Sequence, residues 1–169
     1  MGMARQNVSP KLHRKRGFTI LEATVAMFTL LVCALIFAGT IPIANKSRGK
    51  AQNANVALSL AKKQLETLKH LGYANNIPSQ LKASALIDSV TPVNMNTAIY
   101  YGPPGTMGYE FSNADDGVND SAKKLLPNGR SFVRITNVNI DLKQVEVVVF
   151  WTEGSNNRFV KLSTRIANL

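Results

Sequence analysis

Residues 11–45 read KLHRKRGFTILEATVAMFTLLVCALIFAGTIPIAN, a basic head followed by an apolar body. From Ala23 to Asn45 no residue carries a charge, and about 20 apolar residues are enough for a helix to cross a bilayer core. The Lys/Arg cluster ahead of this run predicts a transmembrane helix whose basic end stays in the cytoplasm, with the rest of the chain exported. Glu22 breaks the pattern. A carboxylate carried to the centre of a membrane helix costs about 2.5–3.5 kcal/mol, and less near an interface. An acid in that position is a functional-site candidate.

Working outward, the basic head explains much of the charge balance. The chain has 169 residues and a formal net charge of +10. Five basic residues (Arg5, Lys11, Arg14, Lys15 and Arg16) precede Gly17, and no acid does. Beyond Gly17, fifteen basic residues face ten acidic ones, a net of +5. With 45% apolar and 18% charged residues, the composition excludes a wholly disordered chain and a polytopic membrane protein. A single cysteine excludes an intramolecular disulfide and a Cys-rich zinc site.

Three processing readings compete at the apolar run. A secretory signal peptide needs small residues flanking a cleavage site at its end; Ile36 stands two positions before Ala38, and Pro42 two before Ala44. A lipoprotein signal would use Cys33, but Val32 precedes it where a small residue is wanted. Cys33 therefore reads as a small apolar residue of the span. The third reading cuts between Gly17 and Phe18, leaving the apolar segment on the mature chain with Phe18 first and Glu22 fifth.

The string Lys15-Arg16-Gly17-Phe18-Thr19-Ile20-Leu21-Glu22, with the apolar run behind it, resembles the cleavage and methylation motif of type IV prepilins and type II secretion pseudopilins. The resemblance covers about residues 11–45. It implies that a prepilin peptidase cuts after Gly17 and N-methylates Phe18. It also implies that Glu22 aids assembly by neutralising the new amine of a neighbouring subunit. The implied partners are that peptidase, other pilin or pseudopilin subunits, an inner-membrane assembly platform and the membrane. The implied location is the bacterial inner membrane, single-pass with the N-terminus cytoplasmic, and after processing a pilus or pseudopilus in the periplasm or at the cell surface. Buried opposite charges stabilise each other only when paired, which agrees with such a role for Glu22.

The domain organisation follows from the same reading: leader 1–17, assembly helix 18–45, amphipathic helix 46–71 and globular domain 72–169. Gly39 and Pro42 predict a kink or local melting at 39–42. Beyond it, Ala54, Leu58, Ala61, Leu65 and Leu68 form a helical stripe, with Lys62, Lys63, Gln64, Glu66 and Lys69 off it. Leu71-Gly72 reads as the helix end. Residues 72–130 hold five of the seven prolines and form a weakly patterned, variable loop region. Short elements are expected there: a helical turn within Ser79–Ser89 and brief strands at Ile99–Tyr101 and Tyr109–Phe111.

The C-terminal sheet, 131–166, is clearer. A strand is expected over Ser131–Val138. Val145, Val147, Val149 and Trp151 alternate along the next, whose other face carries Val148 and Phe150; both faces apolar make it central. Val160, Leu162, Thr164 and Ile166 alternate with Lys161, Ser163 and Arg165 on a third, after a loop at Glu153–Asn157. The expected class is α+β, a long N-terminal helix packed on a small antiparallel sheet. This meander also resembles minor pilins and pseudopilins. The absence of any cysteine after Cys33 departs from major pilins that close a C-terminal loop with a disulfide.

No catalytic constellation stands out. The histidines are His13, in the leader, and His70, on the amphipathic helix, so no His/Cys pair or histidine cluster forms. Gly102-Pro103-Pro104-Gly105 reads as a turn, because proline lacks the N–H a phosphate loop needs. The chain is expected not to be an enzyme and to need no cofactor. Asp115, Asp116 and Asp120 are a weak calcium candidate without EF-hand spacing; an Asp/Gly turn is the commoner meaning of such a cluster. Lys46, Arg48, Lys50, Lys62, Lys63, Lys69, Lys123, Lys124, Arg130 and Arg134 admit DNA binding as a minor alternative, although lysines beside an apolar stripe are usually a solvated face. The leading expectation is a minor pilin or pseudopilin that polymerises through its N-terminal helix. Its alternative is a signal-anchored envelope protein whose exported domain binds a ligand or DNA.

Overall fold

The computed structural model of the chain describes residues 19–114 and 120–168. The class is α+β. Nine elements follow one another: α1 (Ile20–Asn75), α2 (Pro78–Ala83), β1 (Val93–Asn94), α3 (Met95–Ile99), β2 (Met107–Glu110), α4 (Ala122–Leu125), β3 (Arg130–Asn139), β4 (Leu142–Glu153) and β5 (Asn156–Ala167), among the described residues. Contacts divide the chain after Asn45 into two compact units.

In the first unit, α1 is helical throughout its apolar stretch. The melting expected at 39–42 is absent, since Gly72 is the one position in α1 with non-helical dihedrals. Proline's fixed φ near −65° is itself helical, so Pro42 removes one N–H without forcing the backbone out of the helix.

The second unit is a sheet with apolar clusters on both faces. Its strands run β1-β2-β3-β4-β5 in space, each pair antiparallel. The three C-terminal strands are joined by β2, which overlaps the brief strand expected at Tyr109–Phe111, and by β1, which the sequence analysis did not place. Val145, Val147, Val149 and Trp151 of β4 pack with Ala57, Leu60, Ala61 and Leu68 of α1, joined by Leu81, Ile87 and Phe111. The stripe on α1 is centred on Ala57, Leu60, Ala61, Gln64 and Leu68. Gln64 is thus buried rather than off the stripe: its Nε2 donates to Ser131 Oγ at 3.1 Å. That bond ties helix to sheet at the point where a polar side chain faces the core.

The opposite face of β4 is covered by a segment the sequence leaves obscure. Val148 and Phe150 pack with Phe132, Met95 and Ile99. The expected strand at Ile99–Tyr101 is instead the end of α3 and a left-handed Tyr100 (φ 55°). Asn94 starts α3 by accepting from Asn96 N at 3.1 Å and Thr97 N at 3.4 Å, the usual N-cap arrangement. Met95 reaches the sheet because residue 108 is glycine; a Cβ there would collide with the Met95 sulfur.

Two further details differ from the sequence expectation. The loop at Glu153–Asn157 tightens to a two-residue turn, Gly154-Ser155, with Glu153 opposite Asn156 and Gly154 at φ 63°, as type II′ hairpins require. The backbone leaves the helical region at Gly72 (φ 74°), where the helix end was expected, and a further helical turn then runs on to Asn75. Its last carbonyls are all the more in need of partners. Asn76 Nδ2 donates to Leu68 O and Gly72 O, both at 2.7 Å. The buried Lys143 ammonium donates to Tyr73 O at 2.8 Å and Asn76 O at 3.3 Å, and lies 4.3 Å from the centre of the Tyr73 ring. A cation at a helix C-terminus meets the negative end of the dipole, so β4 caps the helix it packs on.

Candidate functional site

The site indicated by the sequence begins at the first turn of α1. Thr19 precedes the helix, and its Oγ1 accepts from Glu22 N at 3.3 Å. This is half of a capping box, in which Ser or Thr at the cap is followed three residues later by Glu or Gln. Thr24 Oγ1 donates back to Leu21 O at 2.8 Å, so the neighbouring hydroxyl is satisfied within the helix. The Glu22 carboxylate is exposed and is the single charge between Ile20 and Asn45.

Around it lies apolar surface that no other described residue covers. Thirteen large hydrophobic side chains between Ile20 and Ile43 are exposed, Ile20 at 87% and Phe37 at 68% among them. Cys33 is exposed in the same stretch. Each such side chain favours an apolar environment over water by about 1.5–3 kcal/mol. An exposed surface of this extent calls for lipid or for other apolar helices. An ionised carboxylate on it is costly in an apolar setting unless a counter-charge meets it.

Gly17, Phe18, Asp115 and Asp116 lie outside the described residues. Asp120, the remaining calcium candidate, pairs with Lys63 Nζ at 2.9 Å, and both side chains are about half exposed. Such a pair is worth about 0–1 kcal/mol, and it engages the Asp120 charge with α1. His70 is exposed on the same helix. Of the basic residues considered for DNA, Arg130 is engaged: Nε and Nη2 each reach a Glu110 oxygen at 2.7 Å, and the guanidinium stands 5.0 Å from the Phe132 ring. The bond to Glu110 is the main cause of a raised Arg130 pKa.

A buried polar pair on the sheet was not singled out by the sequence. Glu146, mid-β4 and 8% exposed, accepts from Tyr101 Oη at 2.7 Å. Tyr101 also meets Phe159 edge-on at 5.3 Å. Burial, then the bond to Glu146 and its charge, raise the Tyr101 pKa well above the usual phenol value. Because the folded-state value is the higher, the stabilisation is complete below about pH 10, the unfolded phenol value, and is lost as pH rises above it. Tyr101→Phe leaves a buried carboxylate oxygen without its donor, at a cost of about 1–3 kcal/mol. Urea unfolding should therefore separate wild type from Tyr101→Phe at pH 7 and show a narrower gap at pH 11, where the loss of this contribution has begun. An equal gap at both pH values would show that the bond does not set the difference.

The described residues present one exposed apolar helix surface with one acid, and a domain whose buried Lys143 and Glu146 are hydrogen-bonded within it. The chain matches no protein-family model, no curated protein and no solved structure. A long apolar N-terminal helix, whose later part packs on a C-terminal antiparallel sheet, is a pilin-like architecture.

Proposed function

We propose that the chain is a structural subunit, a minor pilin or pseudopilin, and not a catalyst. Prepilin peptidase cuts between Gly17 and Phe18 and methylates the new N-terminus. The apolar helix is first held in the inner membrane and then moves into the core of a type IV pilus or type II secretion pseudopilus. Its partners are the peptidase, neighbouring pilin or pseudopilin subunits and the inner-membrane assembly platform. The observation that carries this reading is the uncovered apolar surface of α1 with Glu22 as its lone charge. The same surface serves in lipid before assembly and against neighbouring helices afterwards, without refolding.

A second reading has one observation in its favour. Thr19 and Glu22 stand at capping-box spacing, where a Glu22 side chain turned back to the Thr19 N–H would have a local use in a signal-anchored envelope protein that never polymerises. Glutamine serves at this capping position as well as glutamate does, so Glu22→Gln separates the two. The test is the fraction of mature chain recovered in sheared or sedimented filaments, wild type against Glu22→Gln.

A further inference from the structure

Immediately after the apolar run, Lys46, Gly49, Lys50 and Asn53 line one side of a cleft of about 490 Å³, opposite the β4–β5 turn at Gly154–Ser155. Their spacing of three and four residues puts them on one helix face. Neither lysine has an ion-pair partner among the described residues. The acid at the rim, Glu153, is already engaged: Trp151 Nε1 donates to its Oε1 at 3.1 Å, and Arg158 Nε stands 3.7 Å from Oε2. The cleft thus carries two uncompensated positive charges beside the amide of Asn53 and the hydroxyl of Ser155.

Gly49 adds an independent observation. A glycine inside a helix costs about 1 kcal/mol against alanine, and here packing gives no reason for it, because a Cβ at this position would meet nothing within 4 Å. What the missing side chain does is leave the helix side of the cleft bare beside the two lysines. The cations also lie on the exported side in the membrane-anchored reading, where the ordinary bias of Lys/Arg toward the cytoplasm does not account for them.

We propose that this cleft holds the phosphodiester of an anionic phospholipid headgroup of the phosphatidylglycerol type. This rests on the membrane-anchored reading, since Lys46 follows the last residue of the apolar run. Two lysine ammoniums complement a monoanionic phosphodiester, while the asparagine amide and serine hydroxyl suit its ester oxygens or a glycerol hydroxyl. A headgroup bearing its own amine would bring a cation toward Lys46 and Lys50 and is disfavoured. The bound lipid would hold the domain at the bilayer surface and be given up when the helix leaves the membrane.

The experiment uses the full chain in detergent, with bound lipid counted by native mass spectrometry on titration with phosphatidylglycerol or phosphatidylcholine. Wild type should prefer phosphatidylglycerol. Lysine near an anionic lipid surface is worth about a fivefold change in affinity, so Lys46→Gln with Lys50→Gln should lower the preference roughly 25-fold. Gly49→Leu keeps every charge, fills the cleft and improves helix propensity; it should lose the preference at least about fivefold while melting no lower than wild type. Arg48→Gln, off the cleft, should lower it by clearly less than either single lysine variant does. Equal losses for Arg48→Gln and the lysine variants, with Gly49→Leu unaffected, would mean diffuse surface charge and overturn the proposal. Displacement of the lipid by millimolar inorganic phosphate would overturn the lipid as the source of the phosphate. Retention of the same proteins in carbonate-washed vesicles reports separately on anchoring: a retained wild type without headgroup preference refutes the cleft, and an unretained one refutes the anchor.

Discussion

A Glu22→Gln chain is expected to reach the membrane and be cleaved as the wild type is, yet to fall at least about tenfold in filaments. Removing one partner of a desolvated ion pair leaves the other charge uncompensated, at a cost of about 3–5 kcal/mol. A tenfold change needs only about 1.4 kcal/mol, so even a partly hydrated pair between Glu22 and the Phe18 amine of a neighbour gives that effect. Glutamine preserves shape and the capping arrangement with Thr19, which confines the change to charge. Glu22→Ala should insert at least as readily, because it relieves the cost of an acid in the membrane, and it should assemble no better than Glu22→Gln. Equal filament fractions for all three chains would leave Glu22 as a helix cap and favour the anchored protein that does not polymerise.

The second large effect concerns the domain. A fragment of residues 46–169 should be soluble and fold cooperatively, whereas residues 73–169 should aggregate. Val145, Val147, Val149 and Trp151 are at most 3% exposed, against Ala57, Leu60, Ala61 and Leu68 of α1. Uncovering four such side chains forfeits about 1.5–3 kcal/mol each. Together that rivals the whole stability of a small domain, about 5–15 kcal/mol. The shorter fragment also loses Gln64 from Ser131 and the helix C-terminus that Lys143 caps. Size-exclusion chromatography and urea unfolding of both fragments decide the matter. A monomeric, cooperative 73–169 fragment would mean that the sheet does not need the helix.

How far the sequence could be read depended on the range of the forces involved. The apolar run and the helical stripe are local periodicities, and β4 declared itself by apolar residues on both of its faces. What covers its second face was not legible. Met95–Ile99 is a five-residue helix made by an Asn94 cap and a left-handed Tyr100, and its stability comes from Phe132, Val148 and Phe150, distant in sequence. Gln64 was misplaced for the same reason, since only its partner Ser131 makes a polar residue acceptable on the stripe. Lys143 carried a signal: it is in phase with Val145, Val147 and Val149 and therefore points toward the helix. Of the candidate site, the apolar surface and Glu22 are visible in both sequence and structure, while the Gly17–Phe18 junction rests on its motif. Gly49 was silent in the sequence, because only the fold places it beside a cleft.

The role of Glu22 depends on cleavage of one peptide bond, Gly17–Phe18, because that cut creates the amine it would neutralise. Intact-mass measurement with N-terminal sequencing of the membrane-extracted chain tests this bond directly. The expected product begins at an N-methylated Phe18, with residues 1–17 absent. A chain that begins after Cys33 or Ala38, or that keeps its basic leader in cells with active prepilin peptidase, would contradict it.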